Sequence, residues 1–344
     1  MEKYNEVVFK KLDWIDMLKI VAAFLVVLQH SISEIWTSLS PDTLTWQITN
    51  FLFILSRSAV PVFFMCSGAG MLCKSRTISD VFHKNIFQLI KLYTAWMLVY
   101  GFVASISLIN EGLASFSTIR NAFIKKILFG EYFTWFIVAL IGLYLITPFL
   151  SVIVQNKHLL QYFLVLSVLF TVIIPLTGYF PSLNRLTENI NNFHMHFVVG
   201  YVMYYVLGYY ISRANWKKQY TIITIFVLGV SCLTAFLFSC LYSSQKGTAS
   251  QEIYGEFAPL GLLINVSVFA LFKAFSKYIS SNKISKRLVR YGIGIYFIHP
   301  LFLNRMTYFD DLYRILGAVL LYLFCILICF FIERSKLLTK LFLK

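Results

Sequence analysis

The chain has 344 residues, of which 59% are hydrophobic and only 13% charged, and its mean hydropathy is +0.74. A soluble globular protein carries about a quarter charged residues, so a soluble fold is excluded. The formal net charge of +15 does not point to nucleic acid, because a nucleic-acid footprint is one basic face or arm of a soluble domain and these cations are scattered between apolar runs.

The runs themselves fall, in chain order, at 15–33, 47–73, 86–109, 133–151, 160–179, 195–212, 220–242, 256–275, 288–305 and 312–332. Most hold roughly the 20 residues that a helical crossing of a bilayer needs. A membrane β-barrel would instead show short alternating strands. The expected fold is all-α: a polytopic membrane helical bundle of about ten transmembrane helices. It forms a single domain over 1–344 with no soluble domain. The run 47–73 is too long for one straight crossing, and Pro61 is expected to bend it by removing a backbone donor. Pro175 and Pro300 are read the same way.

Orientation follows from lysine and arginine placement. With the N-terminus inside, the inner segments collect Lys10, Lys11, Lys74, Arg76, Lys217, Lys218, Lys286, Arg287 and Arg334, among others. The outer segments carry few cations, such as Arg120, Arg185, Lys246, Arg305 and Arg314. Both termini are therefore expected in the cytoplasm, in a multi-pass protein of the cell membrane. Lys10 and Lys11 before an apolar run resemble a signal peptide, but no small-residue cleavage site follows Ser31, so the first span is read as retained. All six cysteines lie within or beside spans, where they act as small apolar residues. No ligand spacing for zinc occurs, and no metal is expected.

Polar residues inside spans are expensive and mark function by default. The first span reads "LDWIDMLKIVAAFLVVLQHS". Asp13, Asp16 and Lys19 are three apart and share a helix face; on its own, Lys19 is equally a snorkelling lysine. His30 lies about 16 Å further along the helix at 1.5 Å per residue. Eleven residues make almost three turns, which returns it to the face of Lys19. Glu34, one turn beyond, is placed to orient the His30 ring. The competing reading is a buried histidine that bonds a neighbouring helix.

The second span carries "SRSAVPVFFMCSGAGML". Arg57 stays charged at any relevant pH and needs a carboxylate, a dipole or a ligand anion. Ser67, Gly68 and Gly70 are read as small residues that let helices approach. At the mouth of the fourth span, "GEYFTWFIVALIGLYLITP" places Glu131, Tyr132 and Trp135; Trp135 also suits an interfacial belt. In "RYGIGIYFIHPLF", His299 precedes a helix-bending proline. Gly-Ile-Gly here is not a nucleotide loop, lacking a third glycine and a preceding strand. His30, Arg57 and His299 at similar depths suggest one cavity, in which an imidazole can take a proton from a hydroxyl.

Together these segments resemble the membrane acyltransferase-3 family. The resemblance spans nearly the whole chain. It rests on Asp16-x-x-Lys19 followed by His30, on "RSAVPVFFMCSG", on "WFIVALIGLYLITPFL" and on "GIYFIHPLF". It implies an acetyl-CoA-dependent O-acyltransferase. Such an enzyme moves an acyl group, mostly acetyl, from a cytoplasmic acyl-CoA to a hydroxyl of a cell-surface or lipid-linked glycan such as an exopolysaccharide or cell-wall sugar.

The resemblance assigns His30 as the base, with Arg57 and His299 as further catalytic residues. Lys19, with Asp16 beside it, is assigned to the acyl-CoA, and Glu34, Glu131, Tyr132 and Trp135 to the acceptor. Lys19 stands where the family has arginine, which keeps the charge and loses the bidentate fork. Phe133 and Thr134 occupy the region where many relatives carry a histidine ahead of the tryptophan. Many relatives also carry a fused extracytoplasmic hydrolase-like domain, which is not expected here. Besides the glycan and membrane lipids, an accessory surface-polysaccharide protein is left open as a partner. The alternatives are a transporter or flippase of a lipid-linked sugar or small anion, which usually shows internal repeats, and a non-catalytic membrane partner or sensor.

Overall fold

A computed structural model of the chain describes residues 13–112, 115–179, 181–303 and 313–343. Lys10, Lys11, Arg305 and the junction between the last two expected spans lie outside the described residues. Among the described residues every regular element is helical.

The principal helices are α1 (Asp13–Ser38), α2 (Leu44–Ser56), α3 (Ala59–Met71), α4 (Phe87–Asn110), α5 (Phe116–Phe129), α6 (Trp135–Ile153) and α7 (Lys157–Val168). They continue as α8 (Tyr201–Arg213), α9 (Lys218–Lys246), α10 (Pro259–Ala274), α11 (Lys283–Ile298), α12 (Tyr313–Glu333) and α13 (Lys336–Phe342). Among the described residues, seven helical stretches are long and apolar enough to cross a membrane. The expected spans 195–212, 256–275 and 288–305 contain shorter helices, of 13, 16 and 16 residues. Local chemistry explains two of these. Gly200 has φ +85°, which a helix does not accept, so α8 starts only at Tyr201. Pro300 has no N–H to continue the ladder, so α11 stops at Ile298 and a short turn, Pro300–Leu303, follows.

Two stretches between the expected spans prove helical: α5, within 110–132, and Asn184–Asn191, within 180–194. The bend expected at Pro61 falls slightly earlier. α2 ends at Ser56, and Pro61 sits in the first turn of α3, where a missing N–H costs nothing. Ser58 Oγ donates to Leu55 O at 2.7 Å across this break.

Contacts divide the chain into two units: one runs to Ser75 and resumes over Leu150–Ile326, and the other comprises Arg76–Phe149 with Leu327–Lys344. In the first, α1 packs against α2, α3 and α11, while α3 packs against α8 and α9 against α10. The α3–α8 crossing is close. A Cβ on Gly68 would lie 1.7 Å from Tyr205 O, and one on Gly208 would lie 2.0 Å from Met65 O. Small residues are what allow helix backbones to meet in this way.

A buried polar knot ties α1, α2, α9 and the loop after α9 together. Trp36 Nε1 and Tyr254 OH both donate to Asn50 Oδ1, at 2.9 and 3.0 Å, and Asn50 Nδ2 donates to Ser239 Oγ at 2.7 Å. Each member is satisfied, so the knot rigidifies the bundle rather than weakening it. In the second unit α4 packs on α5, and Trp96 of α4 donates from Nε1 to Phe342 O at 3.2 Å.

Candidate active site

α1 is one continuous helix of 26 residues. Asp13 and Asp16 lie in its first turn, where the helix dipole favours negative charge. Asp16, Lys19 and His30 are all half-buried, as expected for one face turned toward other helices. At the Lys19 end, the charges of Lys19 and Asp16 reach the buried Cys66 of α3. Lys19 has no ion-pair or hydrogen-bond partner among the described residues. Asp13 is tied to the loop before α11, where Ser281 Oγ donates to its carboxylate.

At the other end of α1, His30 meets His299. Their ring centroids are 5.4 Å apart with 37° between planes. His299 is fully buried, and its Nδ1 lies 2.9 Å from Ile295 O. A carbonyl only accepts, so Nδ1 carries a proton, and in the neutral ring Nε2 then presents a lone pair. That Nε2 has no partner among the described residues. The arrangement follows from Pro300, which ends α11 and leaves His299 as its cap beside α1.

Arg57 projects from the break between α2 and α3. Its Nη2 pairs with the Glu256 carboxylate, so the carboxylate that the sequence required is Glu256. Both side chains are 18% exposed. Tyr201 OH donates to Glu256 Oε1 at 3.0 Å. Tyr204 OH donates to the Glu256 carbonyl and accepts from Asn265 Nδ2 at 2.9 Å. Arg57 lies within electrostatic reach of the His30 imidazole, which places the ion pair and the histidine pair in one polar region.

Glu256 also lines a cavity of about 800 Å³. Its walls are mostly apolar, with Phe170, Val172, Val199 and Phe257 among them, and its polar groups are Thr171, Tyr242, Glu252 and Glu256. Lys246 and Tyr242 clasp Glu252 at 2.8 and 2.9 Å and hold its carboxyl below the usual range.

The other expected residues lie differently. Glu34 is largely exposed, and its Oε2 accepts from Arg314 Nη1 at 2.8 Å; its charge is engaged there, where the sequence reading had it orient His30. Glu131, Tyr132 and Trp135 belong to the second unit. Glu131 pairs with Lys126 at 2.5 Å, and Tyr132 and Trp135 are exposed, as belt residues are. Glu256, Tyr201, Tyr204 and Asn265 were not anticipated. The available signal was charge balance: a buried arginine needs an acid, and the chain has only 15 aspartates and glutamates.

Paired imidazoles within reach of a half-buried guanidinium can accept a proton and stabilise a developing oxyanion. The sequence profile of the acyltransferase domain of the acyltransferase-3 type matches residues 12–334, nearly the whole chain. The chain belongs to the acyltransferase-3 family. No curated protein and no solved structure matches it. In this multi-pass membrane acyltransferase the two histidines, the ion pair and the cavity beside Glu256 all belong to the first unit. Among the described residues of this acyltransferase no cluster of metal-ligating side chains occurs.

Proposed function

We propose that the protein transfers an acyl group, acetyl in the first instance, from a cytoplasmic acyl-CoA to a hydroxyl of a cell-surface or lipid-linked glycan, with His30 as the general base. The observation that carries this reading is the His30–His299 pair at 5.4 Å in the same unit as the half-buried Arg57. The hydroxyl oxygen attacks the thioester carbonyl carbon while its proton passes to His30. The carbon–sulfur bond then breaks, and His30 returns the proton to the leaving thiolate. Lys19, about 16 Å along α1, supplies charge to the donor's phosphates, and the long pantetheine arm covers the distance to His30. The cavity beside Glu256 is the place for the acceptor.

The test is purified protein with acyl-labelled acetyl-CoA and a glycan acceptor. Label moving to the acceptor supports the enzyme; an inert protein that carries a sugar across a vesicle membrane supports the transporter. In the same assay Lys19→Met is expected to raise the KM for acyl-CoA by roughly 10–150-fold with a smaller fall in kcat, the worth of one charge-assisted hydrogen bond of about 1.5–3 kcal/mol. Lys19→Arg is expected to stay within a few-fold of wild type. An unchanged KM with a collapsed kcat in Lys19→Met would move the residue from binding to chemistry.

The orientation that this route needs has both termini in the cytoplasm of a cell-membrane protein. Cysteines placed at Asn189 and at Ser335 are expected to react with impermeant reagents from opposite sides of the membrane. Reaction of both from outside would overturn the orientation.

A further inference from the structure

Arg57 is more constrained than a simple buried ion pair requires. Its Nη2 is held by one carboxylate oxygen of Glu256, and the other oxygen is locked by the Tyr201 hydroxyl. The Glu256 backbone is fixed in turn, because Tyr204 OH binds its carbonyl and is itself bound by Asn265 of α10. Gly261 seals this corner: a Cβ there would lie 2.0 Å from Gly255 O, so the chain just before α10 lies directly on the helix. The carboxylate is thus a fixed post and not a mobile surface group.

With Nη2 held, the guanidinium plane is fixed. The Arg57 Nε is then buried and without a partner among the described residues. A buried donor left unpaired is costly. Its counterpart is the equally buried lone pair on His299 Nε2. One donor and one acceptor stand unmet in the region of His30. A thioester carbonyl oxygen accepts, and a glycan carries further donor hydroxyls besides the attacking one, whose proton goes to His30, so together the two reactants bring what the two orphaned atoms lack.

We propose that Glu256 is the positioning residue of this site. It fixes the Arg57 guanidinium, with Tyr201 steadying the carboxylate, so that the Arg57 Nε–H is presented to the carbonyl oxygen of the acyl thioester. This rests on the acyltransferase reading above. As the hydroxyl oxygen bonds to the carbonyl carbon, the carbonyl π electrons move onto the oxygen facing Nε–H. They return when the carbon–sulfur bond breaks and the thiolate leaves with the bonding pair. Arg57 donates hydrogen bonds throughout and loses no proton. Glu256 never touches the reacting atoms; it acts through Arg57.

Removing a donor at an oxyanion costs about 10²–10³-fold in kcat, and misplacing a catalytic group by about 1 Å costs up to roughly 10²-fold. Glu256→Gln keeps the side chain's shape and removes its charge. It is expected to lower kcat by about 10–100-fold while changing the KM for acyl-CoA less than about three-fold. Glu256→Asp is expected to lie between the two, and Tyr201→Phe to reproduce a smaller version of the same loss.

The deciding experiment is thiol release from acetyl-CoA in the presence of acceptor, with Glu256→Gln introduced alone and together with Arg57→Lys. Lysine has no Nε–H to position, so Glu256→Gln is expected to cost less than about two-fold in that background. An equal loss in both backgrounds would overturn the positioning role. So would a loss confined to the KM for the acceptor, which would make Glu256 a wall of the cavity and nothing more. Thermal unfolding of the solubilised variants is run in parallel, and a kcat loss that tracks unfolding also counts against the proposal. Absence of thiol release by the wild-type protein would sink the acyltransferase reading itself, and the proposal with it; failure of the double-variant comparison alone leaves that reading standing.

Discussion

His30→Ala is expected to lower acyl transfer by roughly 10²–10⁴-fold, the usual contribution of a general base, with membrane abundance unchanged. The histidine is half-buried on a helix whose packing rests on other residues: Trp14, Leu18, Ala22, Val27 and Ile32 are buried along α1. Its ring faces His299, whose Nδ1 is committed to Ile295 O. His30→Gln separates chemistry from structure, because glutamine can hydrogen-bond but cannot take up a proton at working pH. The measurement is the initial rate of label transfer at equal protein in the membrane. More than about a tenth of wild-type activity in either variant would dismiss His30 as the base. Disappearance of both variants from the membrane would assign it to helix packing.

The polar residues of α1 were readable before any coordinates because two simple rules act on them. Helical periodicity puts Lys19 and His30 on one face, and the cost of polar groups in a span marks that face as turned inward. His299 was readable for the same reason, and Pro300 explains its place at a helix end. The partner of Arg57 was not readable. Glu256 lies 199 residues from Arg57 along the chain, just before α10, where an acidic residue looks like ordinary headgroup-level solvation. Helix ends failed where a single backbone torsion decided them, as at Gly200. α5 was missed because lysines and an arginine interrupt its apolar pattern, and the hydropathy of a span was the criterion in use. The Arg314 partner of Glu34 was not readable, because adjacency on a helix says nothing about a cation brought in by another segment. Arg314, 280 residues away, takes its carboxylate.

The stretch "SGAG" yields an expectation with opposite signs at two neighbouring glycines. Gly68 faces α8, and its added Cβ would meet the Tyr205 backbone at 1.7 Å. Backbone cannot step aside as a flexible side chain can, so Gly68→Ala must push α3 and α8 apart. Overpacking of this kind costs typically about 1–3 kcal/mol and sometimes more, and the facing Gly208, with its own Cβ position 2.0 Å from Met65 O, shows that the crossing has no slack. α3 also carries Pro61 and begins beside Arg57, so separation at the crossing disturbs the ion pair as well. Gly70, two residues on, is exposed and has nothing within 4 Å of an added Cβ. There alanine relieves the backbone entropy cost of a helical glycine, about 0.5–1 kcal/mol. Thermal unfolding of the solubilised protein should therefore move down for Gly68→Ala and slightly up for Gly70→Ala, with transfer lost only in the first. Equal behaviour of the two variants would show that α3 and α8 do not cross at Gly68.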